Sequence, residues 1–129
     1  MIVGIGIDIV EVSRIRKMLD DYGSRFSERV FTSDEIAYCI SKRFPAIHFS
    51  ARFFAKEAFF KALGTGLSGK LRWRDVAVLN REGGMTEIIL NGEAQKICRR
   101  KRILNIKVSL SHTREYAAAV IVLESENSQ

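Results

Sequence analysis

A chain of 129 residues, 47% of them hydrophobic and with a single proline, has enough apolar material for one core and too little linker composition for a disordered or multidomain chain. Its net charge of +6 points to an acidic partner or a phosphorylated ligand without saying which. Two cysteines, Cys39 and Cys98, lie far apart with no Cys or His at metal spacing, which excludes a disulfide framework; they read as small buried hydrophobes in a reducing compartment.

The opening MIVGIGIDIV reads as a strand. Alternation puts Val3, Ile5, Ile7 and Ile9 on one face and Ile2, Gly4, Gly6, Asp8 and Val10 on the other. The first face is expected in the core. The second carries two glycines that keep a space open, then a carboxylate with no side-chain donor among its neighbours. The stretch lacks a basic run before it and leads straight into charged residues, so it is read as neither a signal peptide nor a membrane span, and the expected location is the cytoplasm.

In EVSRIRKMLDDYG, Ile15, Met18, Leu19 and Tyr22 fall at helical spacing, with Ser13 as the expected cap and Gly23 as the stop. TSDEIAYCI offers a capping box, Thr32 with Glu35, for a second helix, and Pro45 punctuates the chain before a third. That third helix, FSARFFAKEAFFKALGTG, carries a stripe of small residues, Ala51, Ala55, Ala58 and Ala62, which lets another backbone come close. Glu57 and Lys61 are one turn apart on one face; Arg52 and Lys56 form a second charged pair. Phenylalanines at 49, 53, 54, 59 and 60 surround these charges, and charges among aromatics are more often paired or functional than idle.

The following GTGLSGK matches G-x-G-x-x-G, but it follows a helix and opens strands, so it is not a dinucleotide fingerprint. Gly64 reads as the left-handed stop of the helix, and the loop from Gly64 through Gly66 to Ser68 reads equally as a backbone cradle for phosphate. From Arg72 the pattern turns to strands, WRDVAVL and TEIIL around NREGGM, followed by a helix GEAQKICRRKR and a closing hairpin, NIKVSLSH with EYAAAVIVLE. His112 ends one of these strands beside Ser111 and Thr113, where a structural hydrogen bond and contact with a phosphate are both open. One domain over residues 1–124 is expected, with 125–129 a disordered tail.

A buried Asp8 must be protonated, paired or bound to a cation. Asp8 with Glu57 suits magnesium, which takes few protein carboxylates and fills its other positions with water and substrate phosphates. A salt bridge to Arg52 or Lys61 answers the question equally well. The basic run at 99–102, with Trp73 between Arg72 and Arg74, raises the alternative of a non-enzymatic nucleotide- or nucleic-acid-binding module. Cations ending a helix also favour its dipole, the simpler account.

Three stretches in this order and spacing, GIGIDIVEVSRI, ARFFAKEAFFKALGTG and SLSHTREYAAAVIVLE, closely resemble holo-acyl-carrier-protein synthase, the short class of phosphopantetheinyl transferases. The resemblance implies an α+β domain with an antiparallel sheet wrapped around one long helix, forming a homotrimer with active sites between protomers. It implies magnesium-dependent transfer of 4'-phosphopantetheine from coenzyme A to a serine of apo acyl carrier protein, releasing adenosine 3',5'-bisphosphate and supporting fatty acid biosynthesis. On this match Asp8 and Glu57 become metal ligands and, with Lys61 near the reacting phosphate, the catalytic set. Arg52, His112, Gly64, Gly66 and Ser68 become parts of the coenzyme A site. Arg14, Met18, Tyr22 and Arg25 on the first helix become the docking face for an acidic carrier. The base that takes the serine proton is left among Glu57, Lys61 and a water on the metal. The mid-chain hairpin departs from the family, with Gly84-Met85 where a proline commonly follows the turn glycine.

Overall fold

A computed structural model describes residues 1–126. Strand β1 (Ile2–Glu11) runs antiparallel to the last strand, which in turn pairs with the one before it; the order in this sheet is β1-β5-β4. Three short helices follow β1: α1 (Val12–Tyr22), α2 (Ser24–Val30) and α3 (Ser33–Ile40). The long helix α4 (Pro45–Leu63) crosses the sheet, and a separate hairpin, β2 (Val76–Asn80) with β3 (Thr86–Leu90), packs at its side. Helix α5 (Gly92–Arg100), β4 (Ile103–His112) and β5 (Tyr116–Ser125) complete the chain. This is the α+β arrangement expected, a sheet around one long helix. Among the described residues no helix is long and apolar enough to cross a membrane.

The faces of β1 are reversed from expectation. Val3, Ile5, Ile7 and Ile9 are exposed, Ile7 at 66% and Ile9 at 67%, while Gly6 and Val10 face inward. The glycines are the reason. A Cβ at Gly6 would lie 1.8 Å from the Ala58 carbonyl oxygen, and one at Gly4 2.2 Å from that of Ala62. The alanine stripe of α4 and the glycines of β1 therefore bring two backbones together, and the inward face needs no large side chain. Ala55, Ala58, Phe59 and Leu63 join Val76, Val78, Ile121 and Leu123 in the main core. On the other side Phe49 and Phe54 meet Phe26, Phe31, Val10 and Ile15.

Helix boundaries follow local chemistry with two corrections. Glu11, not Ser13, is the N-cap of α1, and the Ser13 hydroxyl only donates to Glu11 Oε2 at 3.5 Å. Gly23 (φ 54°) stops α1, its N–H donating to the Leu19 carbonyl, so Arg25 belongs to α2 rather than to the first helix. The capping box of α3 is present: Glu35 N–H donates to Thr32 Oγ1 and Thr32 N–H to Glu35 Oε1. Glu35 is also fully buried and accepts from Lys56 Nζ at 2.7 Å and from Val78 N–H at 2.9 Å. Lys56 reaches the Val30 and Trp73 carbonyls as well, so one buried ion pair ties α2, α3, α4 and β2 together.

Pro45 opens α4 and Gly64 (φ 79°) ends it in the left-handed conformation, as expected. The strand read from Arg72 starts later, because Trp73–Asp75 form a 3-10 turn in which Asp75 accepts from Arg72 N–H. Ser125 belongs to β5, its N–H bonded to the Met1 carbonyl, and Glu126 N–H donates to the Arg102 carbonyl. The expected tail is therefore tied down at its start; residues 127–129 lie outside the described residues. Cys39 and Cys98 are buried and free, and burial pushes their thiols up to about 12 and about 11.

Candidate active site

Asp8 sits on the inner face of β1 because the strand alternates, and Glu57 and Lys61 face it because they are one turn apart on α4. Lys61 Nζ lies 3.2 Å from Asp8 Oδ1 and donates to the Ile7 carbonyl. Glu57 is drawn above the usual carboxylate range, first by burial and then by its contact with Asp8; Lys61 and Arg14 pull it back. Asp8 Oδ2 is buried without a hydrogen-bond partner. Two carboxylates share the Lys61 ammonium, and Asp8 Oδ2 is left as an open acceptor oxygen. That donor set fits a hard cation bound through oxygen. Of the two answers that the sequence leaves open for Asp8, the Lys61 bridge forms, and Glu57 lies beside it as the second carboxylate that the metal reading needs. Arg52 points elsewhere and donates to Asn80 Oδ1.

The pair opens into a cleft of about 520 Å³ whose far wall is α1, through Arg14, Met18 and Tyr22. A neighbouring groove of about 420 Å³ shares Met18 and Tyr22, gains Arg25 and Arg29 from α2, and is floored by Phe53 stacked on Trp73 at 4.8 Å. Arg14, Met18, Tyr22 and Arg25 thus line one continuous surface, although two helices supply them.

The other expected site residues lie apart. Arg52 is about 140° round α4 from Glu57 and only 2% exposed. Its guanidinium stacks 4.1 Å from the Tyr38 ring and donates to Asn80 Oδ1 and the His48 carbonyl, while Nε is buried without a partner. His112, at the end of β4, meets the His48 ring at 5.6 Å. The loop from Gly64 to Ser68 begins twelve residues, roughly 18 Å, further along the helix axis than Arg52. Two of its amides are already used, Gly64 N–H on the Lys61 carbonyl and Gly66 N–H on that of Phe60; the Ser68 hydroxyl donates to the Thr65 carbonyl.

The model of the 4'-phosphopantetheinyl transferase superfamily matches residues 4–121. The holo-[acyl-carrier-protein] synthase of Syntrophotalea carbinolica is 41% identical over 121 residues, covering 94% of each chain. The chain belongs to the holo-acyl-carrier-protein synthase family. It is an enzyme, a phosphopantetheinyl transferase. Solved synthases share its fold: that of Neisseria meningitidis, 31% identical, superposes with a TM-score of 0.90 over 97% of this chain and 100% of the other. The synthase of Bacillus anthracis, in complex with CoA (3',5'-ADP), is 37% identical with a TM-score of 0.81, covering 98% and 99%.

Tyr38, His48 and Asn80, which surround Arg52, were missed from the sequence. His48 carries a local signal, since it lies four residues before Arg52 and so on the same helix face. Tyr38 and Asn80 carry none, because only the tertiary fold brings α3 and the end of β2 against α4.

Proposed function

We propose that the chain transfers 4'-phosphopantetheine from coenzyme A to a serine of an acyl carrier protein, with magnesium held by Asp8 and Glu57. The observation that carries this reading is the open, buried Asp8 Oδ2 beside a Glu57 carboxyl that burial and then Asp8 push up. Bound there, magnesium supplies charge neutralisation on the pyrophosphate oxygens. Lys61, one turn from Glu57, adds a second positive charge and orients the same phosphate. The serine oxygen forms a bond to the phosphorus bearing pantetheine; the bond to the adenosine-side phosphate breaks, and adenosine 3',5'-bisphosphate leaves with the electron pair. The serine proton goes to Glu57, the carboxylate one turn from Lys61 at the same cleft. Phe53 and Phe54 in the cleft wall limit water at the reacting phosphorus.

The acidic carrier docks on the surface made by Arg14, Met18, Tyr22 and Arg25, which combines cations and apolar contact at the mouth of the cleft. Arg52 and His112 with the Gly64–Ser68 loop serve coenzyme A from different copies of the chain. Their separation within one chain, together with the exposed apolar face of β1, supports a homotrimer with sites between protomers. Cytoplasmic fatty acid biosynthesis is the setting this activity fits. A nucleic-acid module finds less support, since Lys101 donates to the Leu63 carbonyl and Arg100 pairs with Glu93.

The test is to mix the protein with apo carrier, coenzyme A and magnesium and to weigh the carrier. A gain of one phosphopantetheine that disappears with a chelator is expected; an unmodified carrier overturns the reading.

A further inference from the structure

Lys56 and Glu35 are both fully buried, and neither has a part in the proposed transfer. An ammonium has three protons to give, and all three of Lys56 are placed: on Glu35 Oε1 at 2.7 Å, on the Val30 carbonyl at 2.8 Å and on the Trp73 carbonyl at 3.2 Å. The Glu35 carboxylate is equally occupied, accepting from Thr32 N–H and Val78 N–H besides Lys56. No charge is left over for a ligand, so what the pair does is hold backbone. Val30 ends α2, where a carbonyl has no partner within the helix, and Trp73 opens the 3-10 turn. Both residues line the groove of about 420 Å³ beside the cleft. The Trp73 ring is fixed from the same side: Phe53 stacks on it at 4.8 Å and Phe60 meets it edge-on at 5.6 Å. Phe53, Lys56 and Phe60 recur at helical spacing on one face of α4, and Glu57 is the residue after Lys56.

We propose that Lys56 is a positioning residue for the carrier: paired with Glu35, it fixes the groove floor at Val30 and Trp73 relative to Glu57, and so sets where a docked carrier presents its serine. This rests on the reading of that groove as the carrier's docking surface and adds the residue that holds its shape from behind. A buried ion pair contributes little net stability compared with apolar side chains of the same size. Apolar side chains, however, cannot bind two carbonyls at once. A docked substrate displaced by about 1 Å loses on the order of 100-fold in rate, so a floor tied to the helix that carries Glu57 matters to transfer. Lys56 also differs in kind from the surface arginines. Arg25 attracts an acidic partner through solvent, where salt screens it, whereas Lys56 acts through packed backbone, where salt does not reach.

The test variant is Lys56→Met with Glu35→Gln, which removes both charges, keeps an amide oxygen for Val78 N–H and leaves no buried charge unpaired. Steady-state transfer is measured with apo carrier and with coenzyme A as the varied substrate, at low and at high salt. The fold should be retained by circular dichroism, with the KM for carrier raised about tenfold at both salt concentrations and the KM for coenzyme A unchanged. Trp73, the only tryptophan, should be quenched more readily by acrylamide. If that variant does not fold, Lys56→Gln with Glu35→Gln gives the same comparison with a polar side chain in place of the ammonium. An unchanged KM for carrier overturns the proposal, as does a parallel rise in both KM values, which is the mark of general loosening. An effect that fades at high salt also overturns it, since surface charge is then the cause. Arg25→Glu separates the two levels. A raised KM for carrier there with a normal one in the pair variant removes only the positioning role, while normal values in both remove the docking surface as well.

Discussion

Glu57 stands between two demands, a neighbouring carboxylate that resists its ionisation and a proposed role as metal ligand that needs it ionised. Its folded-state pKa is raised above the ordinary 4.5, first by burial and then by Asp8, so the folded chain keeps a proton that the unfolded chain releases at lower pH. Between those two values stability falls as pH rises, and above both the whole penalty remains. Glu57→Gln removes that charge. In chelator, its melting temperature should fall less than the wild type's as pH rises from 4.5 to neutral, as read by calorimetry. Added magnesium should raise the wild-type melting temperature at neutral pH and leave the variant nearly unmoved. Transfer activity of Glu57→Gln should drop by on the order of 100-fold or more, with fold retained by circular dichroism. A variant that still gains stability from magnesium sinks the role of Glu57 as ligand.

At the scale of elements, the site depends on how closely β1 lies on α4, and that closeness depends on hydrogen atoms at Gly4 and Gly6. A methyl at Gly6 would sit 1.8 Å from the Ala58 carbonyl oxygen, a contact that neither backbone can yield without separating strand from helix. Gly6→Ala should therefore destabilise the chain by about 3 kcal/mol or more in urea unfolding. It should also reduce activity beyond what stability explains, because Asp8 moves with the strand. Unchanged unfolding would contradict the close approach. The surface of α1 and α2 makes its own prediction. Arg25→Glu should raise the KM for carrier by about tenfold at low salt, with the KM for coenzyme A unchanged and the effect shrinking as salt rises. Arg14→Glu should do the same and also lower kcat, since Arg14 acts on Glu57.

The whole molecule presents a row of Val3, Ile5, Ile7 and Ile9 to solvent on an edge strand, an apolar patch that an isolated chain would not keep. The proposed trimer would cover that row with two further copies and would account for the separation, within one protomer, of the residues proposed to serve coenzyme A. Ile5→Lys with Ile7→Lys should give a folded monomer by light scattering and lose transfer activity, while Glu57 and Asp8 stay in place. A monomeric wild type with full activity would remove the need for the interface.

Local sequence carried a good deal of this. The glycine stops at Gly23 and Gly64, the Thr32–Glu35 capping box, the alanine stripe and the pairing of Glu57 with Lys61 were legible because each depends on residues within one or two turns. The order of three co-linear motifs carried the family. Which face of β1 turns inward was decided only by tertiary structure: a period of two says which residues share a face and not which face is covered, and glycine against alanine buries backbone rather than side chains. The Glu35–Lys56 pair and the contacts of Arg52 with Tyr38 and Asn80 were decided there too, because their partners come from residues 14 to 43 positions away, a distance no periodicity spans.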